Sequence, residues 1–192
     1  MFFKRRQYQC RVLVKGRTAS GKTNVILRML YGLYNDNHIP TVEDHYMRKY
    51  HPSRGNVTLE VVDTSEMYCR RAEQRPTTMA DGNIRMFVYS VNDYASFDHV
   101  LRNIKVAIDD ISVRMAPIIV VGAKCDLEDE RQVFPEDVKN HLRVLGVQHL
   151  EVSAKKNKHM NDLVSMVVDT AIKRRQLVKK MTNSIKKLKS SK

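Results

Sequence analysis

The segment GRTASGKT, Gly16 to Thr23, spaces two glycines so that the backbone between them can wrap a pyrophosphate with its N–H groups. Lys22 follows the second glycine, within reach of β and γ phosphates, and the Thr23 hydroxyl is a ligand type suited to Mg²⁺. Further on, the apolar run EVVD stops on an acid, Asp63, and is followed by Thr64, Ser65, Glu66 and Met67. Those last two are odd company for a phosphate. A carboxylate repels phosphate oxygens, and a thioether neither donates a hydrogen bond nor accepts one usefully. Whether a nucleotide is hydrolysed here turns on them.

Such residues need a scaffold that brings them together. YQCRVLVKG alternates toward an apolar strand and breaks at Gly16; KTNVILRMLYGLY then carries Val25, Leu27, Leu30 and Tyr31 at helical spacing. TVEDHYMRKYHPSRGNVTLEVVD reads as two strands joined by a turn over Pro52, Ser53, Arg54 and Gly55. NIRMFVYSVND is another strand, and a helix opened by Ser96 places Phe97, Val100, Leu101, Ile104 and Ile108 on one side. APIIVVGAKCD is a buried strand, PEDVKNHLRVLG a helix stopped at Gly146, HLEVSAK a last strand and NDLVSMVVDTAIKRR a last helix. Strands alternating with helices predict an α/β fold with a mostly parallel sheet, and ligands in such folds sit at the carboxyl ends of the strands. Three segments fall at such ends: GRTASGKT, GAKCDL (Gly122 to Leu127) and EVSAK (Glu151 to Lys155).

At 192 residues the chain suits one domain plus a tail. Its apolar content of 42% and charged content of 29% are ordinary for a globular protein, and no apolar run is long enough to span a bilayer. MFFKRRQYQC does not resemble a secretory signal, and the second residue is not the glycine that myristoylation requires, so a cytoplasmic location is expected. Cys10, Cys69 and Cys125 form no C-x-x-C pair, which argues against a disulfide framework or zinc site. A formal charge of +13 calls for an anionic partner.

Taken in order, these segments resemble the Ras superfamily of small GTPases, over roughly residues 7 to 175. PTVEDHY, Pro40 to Tyr46, is similar to the first switch and effector segment of the Ras branch, close to Di-Ras and to the Dexras/Rhes group. The resemblance implies a P-loop NTPase fold, a Ras-like six-stranded mostly parallel sheet with helices on both faces. It implies residues 1–6 as an extension, 7–175 as the G domain and 176–192 as a tail. It implies GTP or GDP and Mg²⁺ as cofactors. Gly16, Thr18, Ala19, Ser20, Gly21 and Lys22 would hold phosphates; Thr23 and Thr41 would give hydroxyls to the metal, and Asp63 would reach it through water. Asp126 would accept from the guanine N1 and exocyclic amine, Lys124 would lie along the base, and Tyr34 would pack on it. Ser153 and Ala154 would help fix the guanine loop, with Lys155 among the nucleotide-binding residues. An acid selects guanine, because adenine offers no matching donor pair.

Departures from the family pattern carry consequences. Glu66 replaces the glycine whose N–H meets the γ-phosphate, and Met67 replaces the glutamine that orients attacking water, so no catalytic residue is assigned. Thr18 and Ala19 stand where the branch prefers glycines, and the β-branched Thr18 is expected to crowd the hydrolytic transition state. Ala123 replaces an asparagine that ties the guanine loop to the phosphate loop, which lowers affinity and speeds exchange. The expectation is a signalling switch with weak hydrolysis. The alternative is a pseudo-GTPase, a module that binds partners without cycling. A P-loop kinase lacks a lid arginine cluster and leaves AKCD and VSAK unexplained.

After Asp169 the chain has no acid, and it carries Lys173, Arg174, Arg175, Lys179, Lys180, Lys186, Lys187, Lys189 and Lys192. Leu177, Met181, Ile185 and Leu188 recur at helical spacing, so residues 176–192 read as a basic amphipathic or a disordered tail. An amphipathic tail suits the inner face of an anionic membrane; nuclear import fits the same letters. The last cysteine is Cys125, so C-terminal prenylation is not expected. The expected partners are a guanine nucleotide and effector proteins reading residues 38–46. Nucleic acid is not expected, since the tail interleaves no aromatics, and the protein is expected to be a monomer.

Overall fold

The computed structural model describes residues 8–36, 43–53, 56–64, 84–109 and 116–190. Thr41, Glu66, Met67 and Cys69 lie outside them, as do Arg54 and Gly55 of the expected turn.

The first strand, β1, is Tyr8–Lys15, and helix α1 is Lys22–Tyr31. Strands β2 (Glu43–Tyr50) and β3 (Val57–Thr64) form an antiparallel hairpin. Strand β4 (Ile84–Ser90), helix α2 (Tyr94–Asp109) and strand β5 (Ile118–Ala123) follow. A short 3₁₀ turn at Glu128–Glu130 leads to helix α3 (Pro135–Leu145), strand β6 (Gln148–Glu151) and helix α4 (Met160–Ser190). The six strands are ordered β2-β3-β1-β4-β5-β6, and every neighbouring pair except β2 with β3 is parallel.

Helices cover both faces of this sheet, which is why β1, β3, β4 and β5 read as nearly continuous apolar runs. On one face α1 and α4 bury Val25, Ile26, Leu163 and Val167 against Val12, Leu59 and Val121. On the other, α2 and α3 bury Phe97, Val100, Ile104 and Leu142 against Phe87, Tyr89 and Val120. Each such side chain contributes about 1.5–3 kcal/mol by leaving water. No described helix is long and apolar enough to cross a membrane.

Three element boundaries differ from expectation. Helix α1 stops at Tyr31, short of the full KTNVILRMLYGLY run, because Gly32 takes a left-handed φ of 73° and caps it. The buried face of α1 is Val25, Ile26, Met29 and Leu30, while Tyr31 turns outward and binds the Met47 backbone through its hydroxyl. Helix α2 is opened by Asp93, whose Oδ1 accepts from the Ser96 N–H at 3.2 Å; the buried Ser96 hydroxyl instead donates back to the Asp93 carbonyl. Strand β6 ends at Glu151, and helix α4 runs through the tail to Ser190, leaving Leu177, Met181 and Ile185 exposed.

Candidate functional site

The loop between β1 and α1 is pressed against β4. A Cβ on Gly16 would lie 2.1 Å from the Val88 carbonyl oxygen, so only glycine fits there. Lys22 is buried, and its ammonium donates to the Gly16 and Arg17 carbonyls, both at 2.9 Å, drawing the loop into a closed bowl. Ala19 holds the bowl's turn with φ 62°, a left-handed conformation unusual for a residue with a Cβ. Inside it the Ser20 hydroxyl is buried with no hydrogen-bond partner. Helix α1 starts without a side-chain cap and with no acid in its first turn, so its N-terminal end keeps its positive dipole charge facing the loop. A closed loop, a buried ammonium, an orphaned hydroxyl and the start of a helix with no acid in its first turn fit a phosphate group.

The Thr23 hydroxyl donates to Asp63 Oδ2 at 2.5 Å, and Asp63 is fully buried at the end of β3. Thr64 pins that end by donating to the Val14 carbonyl at 2.9 Å. Among the described residues no group of three or more His, Cys, Asp or Glu side chains could cage a metal. A hydroxyl beside one carboxylate offers oxygen ligands of the kind Mg²⁺ takes.

A pocket of about 170 Å³ opens beside the bowl, lined among others by Tyr34, Ala123, Lys124, Asp126, Ala154 and Lys155. Two loops build its floor. After β5, Lys124 adopts φ 62° and the Leu127 N–H closes a turn on its carbonyl at 2.9 Å, presenting Asp126. After β6, the Val152 N–H donates to Gly122 and the Cys125 N–H to Val152, stitching the two loops together. The Ser153 hydroxyl accepts from the Lys156 N–H at 2.9 Å and holds the second turn. Burial, then the hydrogen bond to Asp36, raises the Tyr34 phenol above its usual range, so the ring is a neutral wall. Ala123 ends in a methyl, 3.4 Å from where a Cβ on Gly21 would stand, and offers no polar atom to tie floor and bowl.

The structure therefore gathers Gly16, Ala19, Ser20, Gly21, Lys22, Thr23 and Asp63 at one end and Tyr34, Lys124, Asp126, Ser153, Ala154 and Lys155 at the other; Tyr34 comes from the segment after α1, and the rest from the carboxyl ends of β1, β3, β5 and β6 and the start of α1. Thr18 is on the same loop and exposed. Nothing in the sequence marks Asn24, Arg28 and Asp36, yet all three hold the Tyr34 wall. Asn24 exchanges two hydrogen bonds with the Asn35 backbone, at 2.8 and 3.0 Å. Lys155 reaches Asp36 at 3.8 Å across the mouth.

A family model described as "Ras family" matches residues 11–173. The chain belongs to the Ras family. This Ras-family protein is 33% identical to Ras-related protein rapC of Dictyostelium discoideum over 76% of its own length and 53% of rapC. It is 32% identical to GTP-binding protein Di-Ras2 of Pongo abelii, over 80% of its length and 77% of Di-Ras2. With Ras-related protein Rab-21 of Mus musculus it shares 30% identity, over 86% of its length and 76% of Rab-21. The match thus spans about half of rapC and about three quarters of the other two. The fold is the Ras-like P-loop NTPase architecture, with its single antiparallel pair at the β2–β3 edge.

Proposed function

We propose that this Ras-family protein is a guanine-nucleotide-binding signalling switch whose GTP hydrolysis is impaired. The observation that carries the reading is the 170 Å³ pocket where Tyr34, Asp126 and Ala154 stand next to the Lys22 bowl and the Thr23–Asp63 pair. Tyr34 offers a face to a purine, and the Asp126 carboxylate accepts from the two adjacent donors of guanine. Lys22 and the N-terminal end of α1 set positive charge against the phosphates. Thr23, Thr41 and Asp63 are the residues that would hold Mg²⁺, which when bound supplies charge against the β and γ oxygens. Met67 cannot orient a water, and Glu66 brings negative charge where a bare backbone N–H serves the family, so hydrolysis is slow.

The basic helix extension supports a reversible seat on an anionic membrane at the cytoplasmic side, at about 1 kcal/mol per Lys or Arg near the surface. Effector proteins read residues 38–46, and the switch works as a monomer. Ala123, which has no polar side chain, together with Glu66 and Met67 favours a second reading, a pseudo-GTPase that holds partners without cycling.

The test is to purify the protein with Mg²⁺ and no added nucleotide, denature it and identify the released purine by chromatography. Near-stoichiometric GTP is the expected result. Stoichiometric GDP overturns the slow-hydrolysis claim, and an empty protein that also fails to bind added GTP or GDP establishes the pseudo-GTPase.

A further inference from the structure

Arg28 lies on α1 one turn before the helix ends, and its guanidinium reaches three places at once. Its Nε donates to the Ala154 carbonyl at 2.7 Å, across 126 residues of chain. Its Nη1 donates to the Gly32 carbonyl at 2.6 Å. The guanidinium carbon sits 5.8 Å from the centre of the Tyr34 ring. Among the described residues it meets no carboxylate, so the whole charge is directed at two carbonyls and a ring face. Ala154 and Tyr34 both line the 170 Å³ pocket, and Gly32 starts the short segment that leads to Tyr34.

We propose that Arg28 is a positioning residue of the base pocket, a clamp that fixes the Tyr34 wall relative to the Ala154 loop. The inference rests on the guanine-nucleotide reading above and deepens it. Holding the Ala154 carbonyl from outside fixes the peptide plane between Ala154 and Lys155. Holding Gly32 fixes where the chain leaves α1, and the cation beneath the ring fixes the tilt of Tyr34. A planar fork with donors in set directions does this where a single ammonium cannot. The clamp matters more here than in a pocket with a polar strap, because Ala123 gives the floor no side-chain bond to the phosphate loop.

The plainer role, capping the carbonyls at the end of α1, is shared by neighbours and provides the control. Arg48 donates to the Leu30 carbonyl and Tyr50 to the Met29 carbonyl at 3.3 Å, both on that helix end and both away from the base pocket. If Arg28 were only a cap, losing Arg48 would act like losing Arg28.

The experiment loads the full chain with fluorescent N-methylanthraniloyl-GDP and follows its release into excess GDP. The Arg28→Ala protein is expected to release about tenfold to a hundredfold faster than wild type, the range for a lost charge-assisted hydrogen bond in a binding site. Arg48→Ala is expected to release at the wild-type rate. Arg28→Lys, which keeps charge and one donor, falls between, and serves if the alanine variant does not fold. In a Tyr34→Leu background the Arg28 substitution is expected to add less than in wild type, because the ring it supports is gone. Equal rates for wild type and the Arg28 variants overturn the inference while leaving the nucleotide reading intact. Equal acceleration by Arg48→Ala overturns it in favour of a helix cap. A wild-type protein that retains no guanine nucleotide overturns the nucleotide reading, and the clamp with it.

Discussion

Thr23 and Asp63 are joined by a 2.5 Å hydrogen bond, hydroxyl to carboxylate, that ties the first turn of α1 to the end of β3 across 40 residues. One bond thereby joins two elements at the phosphate-loop end of the site. Thr23→Val keeps the shape and removes the donor to a fully buried carboxylate. It is expected to lower stability by about 1.5–3 kcal/mol, read from urea unfolding without nucleotide. A midpoint unchanged from wild type would show that the bond adds nothing in the free protein.

Ala19 holds a left-handed φ of 62° with a Cβ present. Replacing it by glycine relieves about 1–2 kcal/mol of steric cost. The same change loosens the unfolded chain at a cost of about 0.4–1 kcal/mol. The Ala19→Gly protein is therefore expected to be more stable by roughly 0–1.6 kcal/mol, the spread of those two ranges. Thermal melts of the two proteins in the same buffer decide the sign, and a lower melting temperature contradicts the strain.

Ala123→Asn restores a polar side chain next to Gly21, where the bowl and the pocket floor meet. Nucleotide release is expected to slow by about tenfold to a hundredfold. Stopped-flow release measurements check it, and an unaltered rate would mean the loops are already held by other bonds.

Met67→Gln and Glu66→Gly each restore one feature that hydrolysis needs, an orienting amide and a bare backbone. Single-turnover GTP hydrolysis is expected to quicken by at least about tenfold in the double variant, the rate equivalent of one well-placed hydrogen bond. If the double variant turns over no faster than wild type, the defect lies elsewhere in the site.

His149 on β6 is partly buried, stacks on Tyr89 at 6.0 Å and has its Nε2 3.0 Å from the Tyr89 hydroxyl. Burial lowers its pKa below the ordinary value, and the Glu151 charge opposes this only in part. With the folded pKa below the unfolded one of about 6.5, the contribution is complete above that pH and is lost as pH falls toward the folded pKa. Between pH 7.5 and 5.5 the wild type is expected to lose more melting temperature than His149→Gln. Parallel losses in the two proteins would remove His149 as the cause.

How much of this was legible in the sequence follows from the range of each interaction. Gly16 to Thr23 announced itself because a phosphate loop is a local pattern, two glycines and a lysine at fixed spacing between a strand and a helix. The alternation of apolar runs with helical spacing likewise predicted the sheet and its two helical layers, and AKCD and VSAK marked the carboxyl ends of β5 and β6. Boundaries were harder: a helical pattern runs on past Gly32, and only the observed left-handed cap ends α1 there.

The sequence by itself determined which residues could do the chemistry, since residue type and strand-end position are written in the chain. It also determined the departures at Glu66, Met67 and Ala123. The tertiary structure decided who supports whom. Arg28 reads as one more charge on an amphipathic helix until folding sets it against Ala154, 126 positions away, and under Tyr34. Asn24 and Asp36 became part of the site in the same way, and Ser96 yielded the cap of α2 to Asp93. Such contacts depend on where packed helices and loops end up in space, and no local periodicity encodes them.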